Sequence, residues 1–261
     1  MGALDIEEVA DRLWVSLTGG SPLSPITDEY PEMSIEDAYR ISEINLNRRI
    51  EERGTKLSGK KIGLTSKAVQ TWLNVDQPDF GYLTEDMAHE NESGIDTGIF
   101  QQPRIEAEIA FLLKKDLTGP GVTKEKVLSA TESVIPALEI IDSRVKDWKI
   151  KIQDTVADNA SSGAYVIGEG MGNPLELDLT ILGMRMFKNG KIVSTGAGAA
   201  CLGHPAEAVA WLANALGAFG VSLHAGETIL SGALGPVTDI QIGDRICAEI
   251  NGLGRVACHF N

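Results

Sequence analysis

Arg245-Ile246-Cys247-Ala248-Glu249-Ile250-Asn251-Gly252-Leu253-Gly254-Arg255-Val256-Ala257-Cys258-His259-Phe260 alternates apolar and polar side chains on both sides of an Asn-Gly pair. Ile246, Ala248 and Ile250 share one face of the first half, and Val256, Cys258 and Phe260 share one face of the second, the period of two that a half-buried strand requires. Asn251-Gly252 suits a type I′ turn, whose two central residues need positive φ. The stretch therefore reads as an antiparallel hairpin. Asn189-Gly190 sits in the same way between Met184–Lys188 and Lys191–Thr195, so the carboxy-terminal half reads as largely antiparallel sheet. Gly252-Leu253-Gly254-Arg255-Val256-Ala257 also spells a dinucleotide-binding fingerprint, but only four residues follow it, too few for the helix that the fingerprint needs.

Towards the amino terminus the period changes. Ile6, Val9, Leu13 and Leu17 recur at three- and four-residue spacing behind a candidate Asp5 cap, which predicts an amphipathic helix. Ser34 with Asp37 resembles a capping box; Ile35, Tyr39, Leu46 and Ile50 form one face behind it, and Gly54 is placed to stop the helix. A third helix is expected from Pro205 in its first turn, Val209, Leu212, Leu216 and Phe219 on one stripe, and Gly220 at its end, with His204 as its cap. No repeat or break in composition divides the chain. These signals predict an α+β protein: a mainly helical amino-terminal cap over residues 1–75, and a mixed β-rich body over residues 76–261 with one helix packed on the sheet, the two forming one structural unit.

Apolar residues make up 43% of the 261 and charged residues 23%, enough for a sizeable core. With 23 basic residues against 37 acidic, the net charge of −14 repels nucleic acid and anionic lipid. Three cysteines, Cys201, Cys247 and Cys258, lack metal-ligand spacing and suggest no disulfide framework, which fits a reducing cytoplasm. Asp5, Glu7, Glu8 and Asp11 occupy the region where an export signal would carry positive charge and an apolar run. No stretch approaches the roughly eighteen consecutive apolar residues of a membrane helix. A soluble cytoplasmic protein without nucleic-acid or membrane partners is expected.

Chemistry is most legible in Arg104-Ile105-Glu106-Ala107-Glu108-Ile109-Ala110-Phe111-Leu112. Strand alternation sends Ile105, Ala107, Ile109 and Phe111 to one side and Glu106 and Glu108 together to the other, a face that continues into Ala110 and Leu112. Two adjacent carboxylates there repel unless a positive charge compensates them. Glu139 stands alone within apolar Val134–Ile141, another costly place for an unpaired charge. Three such oxygens suit a hard divalent ion, Mg²⁺ or Mn²⁺, better than Zn²⁺. The alternative is a solvated face with Glu139 paired to an arginine such as Arg144. Gly59-Lys60-Lys61-Ile62-Gly63-Leu64-Thr65-Ser66 offers cations between glycines, as an anion site or merely as a surface lysine pair in a turn. Gln77-Pro78-Asp79-Phe80-Gly81 places an aspartate in what reads as a rigid turn. Asp158-Asn159-Ala160-Ser161-Ser162-Gly163 reads as a loop of small polar side chains. No Ser/His/Asp or Cys/His arrangement stands out, which argues against a serine or cysteine hydrolase.

Six segments in order, 59–66, 77–81, 102–110, 139–144, 154–161 and 196–205, together resemble the 2-keto-4-pentenoate (2-hydroxypenta-2,4-dienoate) hydratases of bacterial aromatic meta-cleavage pathways, within the fumarylacetoacetate hydrolase superfamily. The resemblance spans nearly the whole chain. It implies a β-rich roll with helical additions, a Mg²⁺-type ion on Glu106, Glu108 and Glu139, and a homo-oligomer, commonly a decamer. It also implies a small anionic 2-hydroxydienoate or 2-oxo acid substrate, hydrated to 4-hydroxy-2-oxopentanoate. Lys61 is then the cation that admits the anionic substrate, with Lys60 a lesser candidate; Asp79 is the proton carrier, and Ser161 binds the substrate carboxylate or positions water. The alternative activity is the sister decarboxylation of 4-oxalocrotonate (2-oxo-3-hexenedioate), since both chemistries share the carboxylate triad. A complex with such a partner decarboxylase is a further expectation, and a non-catalytic metal-dependent binding protein is the reading from another class.

Overall fold

In the computed structural model, which describes residues 4–67, 70–71, 75 and 77–261, the helices are α1 (Ile6–Leu17), α2 (Ile26–Glu29), α3 (Ile35–Arg53), α4 (Lys124–Ala130), α5 (Ile152–Ala157) and α6 (Pro205–Gly217). Asp5 caps α1 by accepting from the N–H groups of Glu7 and Glu8. Ser34 and Asp37 form the expected capping box of α3, and Gly54 ends it in the left-handed region at φ 61°. The buried line of α3 is Ala38, Ile41 and Ser42, whereas the expected stripe of Ile35, Tyr39, Leu46 and Ile50 is only half-buried. The reason is that α3 packs against both α1 and α5, and small side chains at the contact let the axes approach. His204 caps α6 through Ala206 N–H, and Val209, Leu212 and Leu216 are buried. Phe219 departs from the expected stripe: α6 ends at Gly217, so Phe219 lies beyond the helical period and is 57% exposed.

The described residues form thirteen strands: β1 (Leu57–Gly63), β2 (Asp79–Thr84), β3 (Ala88–His89), β4 (Gly94–Ile95), β5 (Arg104–Leu113), β6 (Thr131–Ile141), β7 (Ser162–Ile167), β8 (Gly183–Lys188), β9 (Lys191–Ala197), β10 (Thr228–Ala233), β11 (Thr238–Asp239), β12 (Arg245–Ile250) and β13 (Gly254–Phe260). One sheet runs β2-β1-β10-β5-β6-β7-β3, with β11 also on β5; the other runs β4-β13-β12-β8-β9. Most pairs are antiparallel, but β1–β10, β3–β7 and β4–β13 are parallel, which makes both sheets mixed. This is the α+β architecture with a helical cap that the sequence predicts. β1, which precedes residue 75, is a full member of the large sheet.

The two Asn-Gly pairs behave differently. Lys188 pairs with Lys191 across Asn189 (φ 52°) and Gly190 (φ 78°), the expected two-residue turn. In the second hairpin Ile250 pairs with Gly254, so three residues turn the chain, and Asn251 is not in the left-handed region. Leu253 explains the longer loop, because its side chain folds inward and is buried.

Alternation on β5 divides two environments. Ile105, Ala107, Ile109 and Phe111 join Val256, Cys258 and Phe260 of β13 and Val209, Leu212 and Leu216 of α6 in the main core. The opposite face of the large sheet carries Ala110, Ala137, Leu83 and Leu230 in a smaller apolar cluster, next to the carboxylates described below. A third cluster joins α1, α2 and α3 to Val156 and Ala157 of α5, and thereby fixes that short helix against the sheet. No helix among the described residues is long and apolar enough to cross a membrane.

Candidate active site

Antiparallel register places Glu106 of β5 directly opposite Glu139 of β6, with Glu108 two residues along the same face of β5. Each of the three offers a carboxylate oxygen within 4.8 Å of the others. Glu108 and Glu139 are buried. At that separation and an effective dielectric of about 20, each ionised pair repels by about 3 kcal/mol. The proton equilibria register this strain: burial and the neighbouring Glu139 push Glu106 up to about 7. Burial, Glu139 and Glu106 raise Glu108 well above the ordinary carboxylate range. Glu108 Oε2 accepts a 2.7 Å hydrogen bond from Gly232 N–H, but its Oε1 is buried without a hydrogen-bond partner, as is Oε1 of Glu139.

These features pass the test for a hard divalent ion. Orphaned, buried, like-charged oxygens are what such a cation neutralises, and an all-oxygen donor set selects Mg²⁺, Mn²⁺ or Ca²⁺ over softer metals. Oxygens bound to one Mg²⁺ at about 2.1 Å stand about 3–4 Å apart, so the triad needs only a small contraction.

The lysine pair is not a surface feature in a turn. β1 is a strand, so successive side chains point to opposite faces, and both lysines are buried. Lys61 Nζ reaches the carboxylate face, 3.1 Å from Glu139 Oε1. Burial pulls its pKa down, but the charges of Glu139, Asp79 and Glu106 outweigh burial and leave it raised. Lys60 faces away and pairs with Glu227. Arg144, the alternative partner for Glu139, pairs instead with Asp158 and donates to the backbone carbonyls of Asp142 and Ser162.

Asp79 is likewise not in a turn but begins β2, two residues along from Gly81, which pairs with Lys61. Asp79 therefore shares the face of Lys61. It is buried, and its Oδ1 has no partner. Burial raises its pKa, against the opposing pull of Lys61. Four carboxylates and one ammonium leave the cluster strongly anionic, which a divalent ion and an adjacent cation together relieve.

Ser161 ends a turn in which Asn159, Ala160 and Ser161 all take positive φ, 54°, 50° and 54°. Non-glycine residues enter this region at a cost of order 1 kcal/mol each, and the surroundings hold them there. Asn159 clamps β2 by accepting from Tyr82 N–H and donating to its carbonyl. Ser161 Oγ lies 3.3 Å from Thr155 Oγ1 of α5. The structure thus brings Glu106, Glu108, Glu139, Lys61 and Asp79 to one face, and places Ser161 against Thr155. Sequence reasoning missed Gly232 and Thr155. Thr155 lay inside the motif 154–161 without a reason to single it out, and Gly232 reaches Glu108 only through pairing distant in sequence.

Residues 50–261 match the fumarylacetoacetate (FAA) hydrolase C-terminal family, and the chain belongs to that family. Within it, the chain is 54% identical over 258 residues to the 2-hydroxyhexa-2,4-dienoate hydratase of Comamonas testosteroni, covering 98% of this chain and 97% of that protein. It is 49% identical over 254 residues to the 2-keto-4-pentenoate hydratase of Paraburkholderia xenovorans, covering 97% and 94%. Among solved structures, a 4-oxalocrotonate decarboxylase of Pseudomonas putida, complexed with magnesium and adipate, superposes with a TM-score of 0.93 at 37% identity over the whole of both chains.

Proposed function

We propose that the chain is a divalent-metal-dependent hydro-lyase that converts 2-hydroxypenta-2,4-dienoate, or its 2-oxo tautomer, to 4-hydroxy-2-oxopentanoate in aromatic meta-cleavage catabolism. The observation that carries the reading is the convergence of Glu106, Glu108 and Glu139 with Lys61 on one buried face. The full-length likeness to two proteins named as hydratases favours hydration over the decarboxylation of its structural neighbour. Mg²⁺ or Mn²⁺, held by the three glutamates, would supply Lewis-acid stabilisation of a dienolate.

The protein's own groups do the rest. Lys61, kept cationic by its acidic neighbours, draws the anionic substrate towards an otherwise negative face. Asp79, whose pKa is raised by burial, carries a proton between the substrate's oxygen end and its far carbon. Ser161 orients the water that adds at the fourth carbon. The working form is a cytoplasmic homo-oligomer, a decamer by family resemblance, able to associate with a partner decarboxylase; light scattering of the purified protein reads the oligomer directly.

The test supplies 2-hydroxypenta-2,4-dienoate and 4-oxalocrotonate separately, with Mg²⁺, Mn²⁺ or chelator, and follows dienol absorbance and CO₂. Metal-dependent loss of the dienol without CO₂ is expected. Release of CO₂ from the second substrate would move the assignment to decarboxylation, and metal binding without turnover of either would leave a binding protein.

A further inference from the structure

Asp79 sits in a seat that Gly63 leaves open. Gly63 pairs directly with it across β1 and β2. A Cβ added at Gly63 would stand 2.2 Å from Asp79 Oδ1 and 3.3 Å from its Cγ, with no backbone atom among its nearest contacts. Gly63 is not in the left-handed region, so its backbone has no need of glycine. What requires glycine here is room for the carboxylate.

We infer that Gly63 is a positioning residue that seats Asp79 by leaving space for its carboxyl group. This deepens the hydratase reading and rests on it.

Gly63→Ala fills the seat. With the dienoate and Mn²⁺, it should lower kcat about tenfold with KM within about twofold. Mn²⁺ affinity and thermal midpoint should be unchanged. Wild-type kcat in Gly63→Ala overturns the seat. If the wild-type enzyme does not hydrate the dienoate, the hydratase reading fails separately. Crystal structures of wild type and Gly63→Ala then decide the seat alone: a displaced Asp79 carboxylate in the variant supports it, and an unmoved one overturns it.

Discussion

Lys60 and Lys61 are neighbours in sequence and both buried beside a glutamate, yet the two pairs are different objects. Lys60 Nζ donates to both oxygens of Glu227, at 2.7 and 2.8 Å, and Glu227 also accepts from His224 N–H. That pair is hydrogen-bonded and neutral. Lys61 Nζ lies 3.1 Å from Glu139 Oε1 without hydrogen-bond alignment, one cation beside Glu139, Asp79, Glu106 and Glu108. Buried charge alone does not mark function; buried charge left unsatisfied does. The first pair closes the β1–β10 side of the fold, and the second belongs to the carboxylate site.

The sharpest way to break this contrast is charge removal at the open site. Glu106→Gln and Glu139→Gln should each lower metal-dependent turnover by about 1,000-fold or more, with circular dichroism unchanged. Retained chelator-sensitive turnover in both variants would place the site elsewhere. At the closed pair the loss should appear in stability instead. Lys60→Met leaves Glu227 buried and unpaired and should cost about 3–5 kcal/mol in denaturant unfolding, with much of it recovered in Lys60→Met/Glu227→Leu. Equal loss in the double variant would mean that the pair does more than satisfy itself.

A sign reversal sharpens the comparison further. In metal-free protein Glu106→Gln removes repulsion without leaving a buried cation unpaired, so it should stabilise by about 1–2 kcal/mol, the opposite of Lys60→Met. The smallest expected effect is at the half-exposed Asp86, held by Arg49 and Arg53 of α3. Burial alone would raise its pKa, but hydrogen bonds from Arg49 and Thr84 bring it from 3.8 down to about 2. A depressed carboxylate contributes stability above its unfolded pKa and loses it as pH falls through the folded value. Wild-type protein should therefore lose an increment of about 1 kcal/mol between about pH 4 and pH 2 that Asp86→Asn lacks; parallel acid titrations would contradict this.

Much of the open site was legible because its residues break a strong local rule. Glu106 and Glu108 share a face in an apolar strand, and Glu139 interrupts an apolar run, so the pattern shows both the strands and the anomaly. β1 was hidden for the converse reason: Gly59, Lys60, Lys61 and Gly63 are residues of exposed turns, and only pairing on both sides makes them a central strand. α4 and α5 are too short to show a helical period. The left-handed turn at Asn159–Ser161 contains no glycine to announce it, and tertiary clamps alone hold it. Asn189-Gly190 and Asn251-Gly252 share two letters, yet burial of Leu253 separates their turns.

Titration of purified, metal-free protein with Mn²⁺, read by electron paramagnetic resonance for wild type and for Glu106→Gln, Glu108→Gln and Glu139→Gln, tests the central claim most directly. One tightly held ion per wild-type chain, lost or greatly weakened in every variant, is the expected result. A wild-type chain that binds no Mn²⁺, or three variants that bind it as wild type does, would contradict the account.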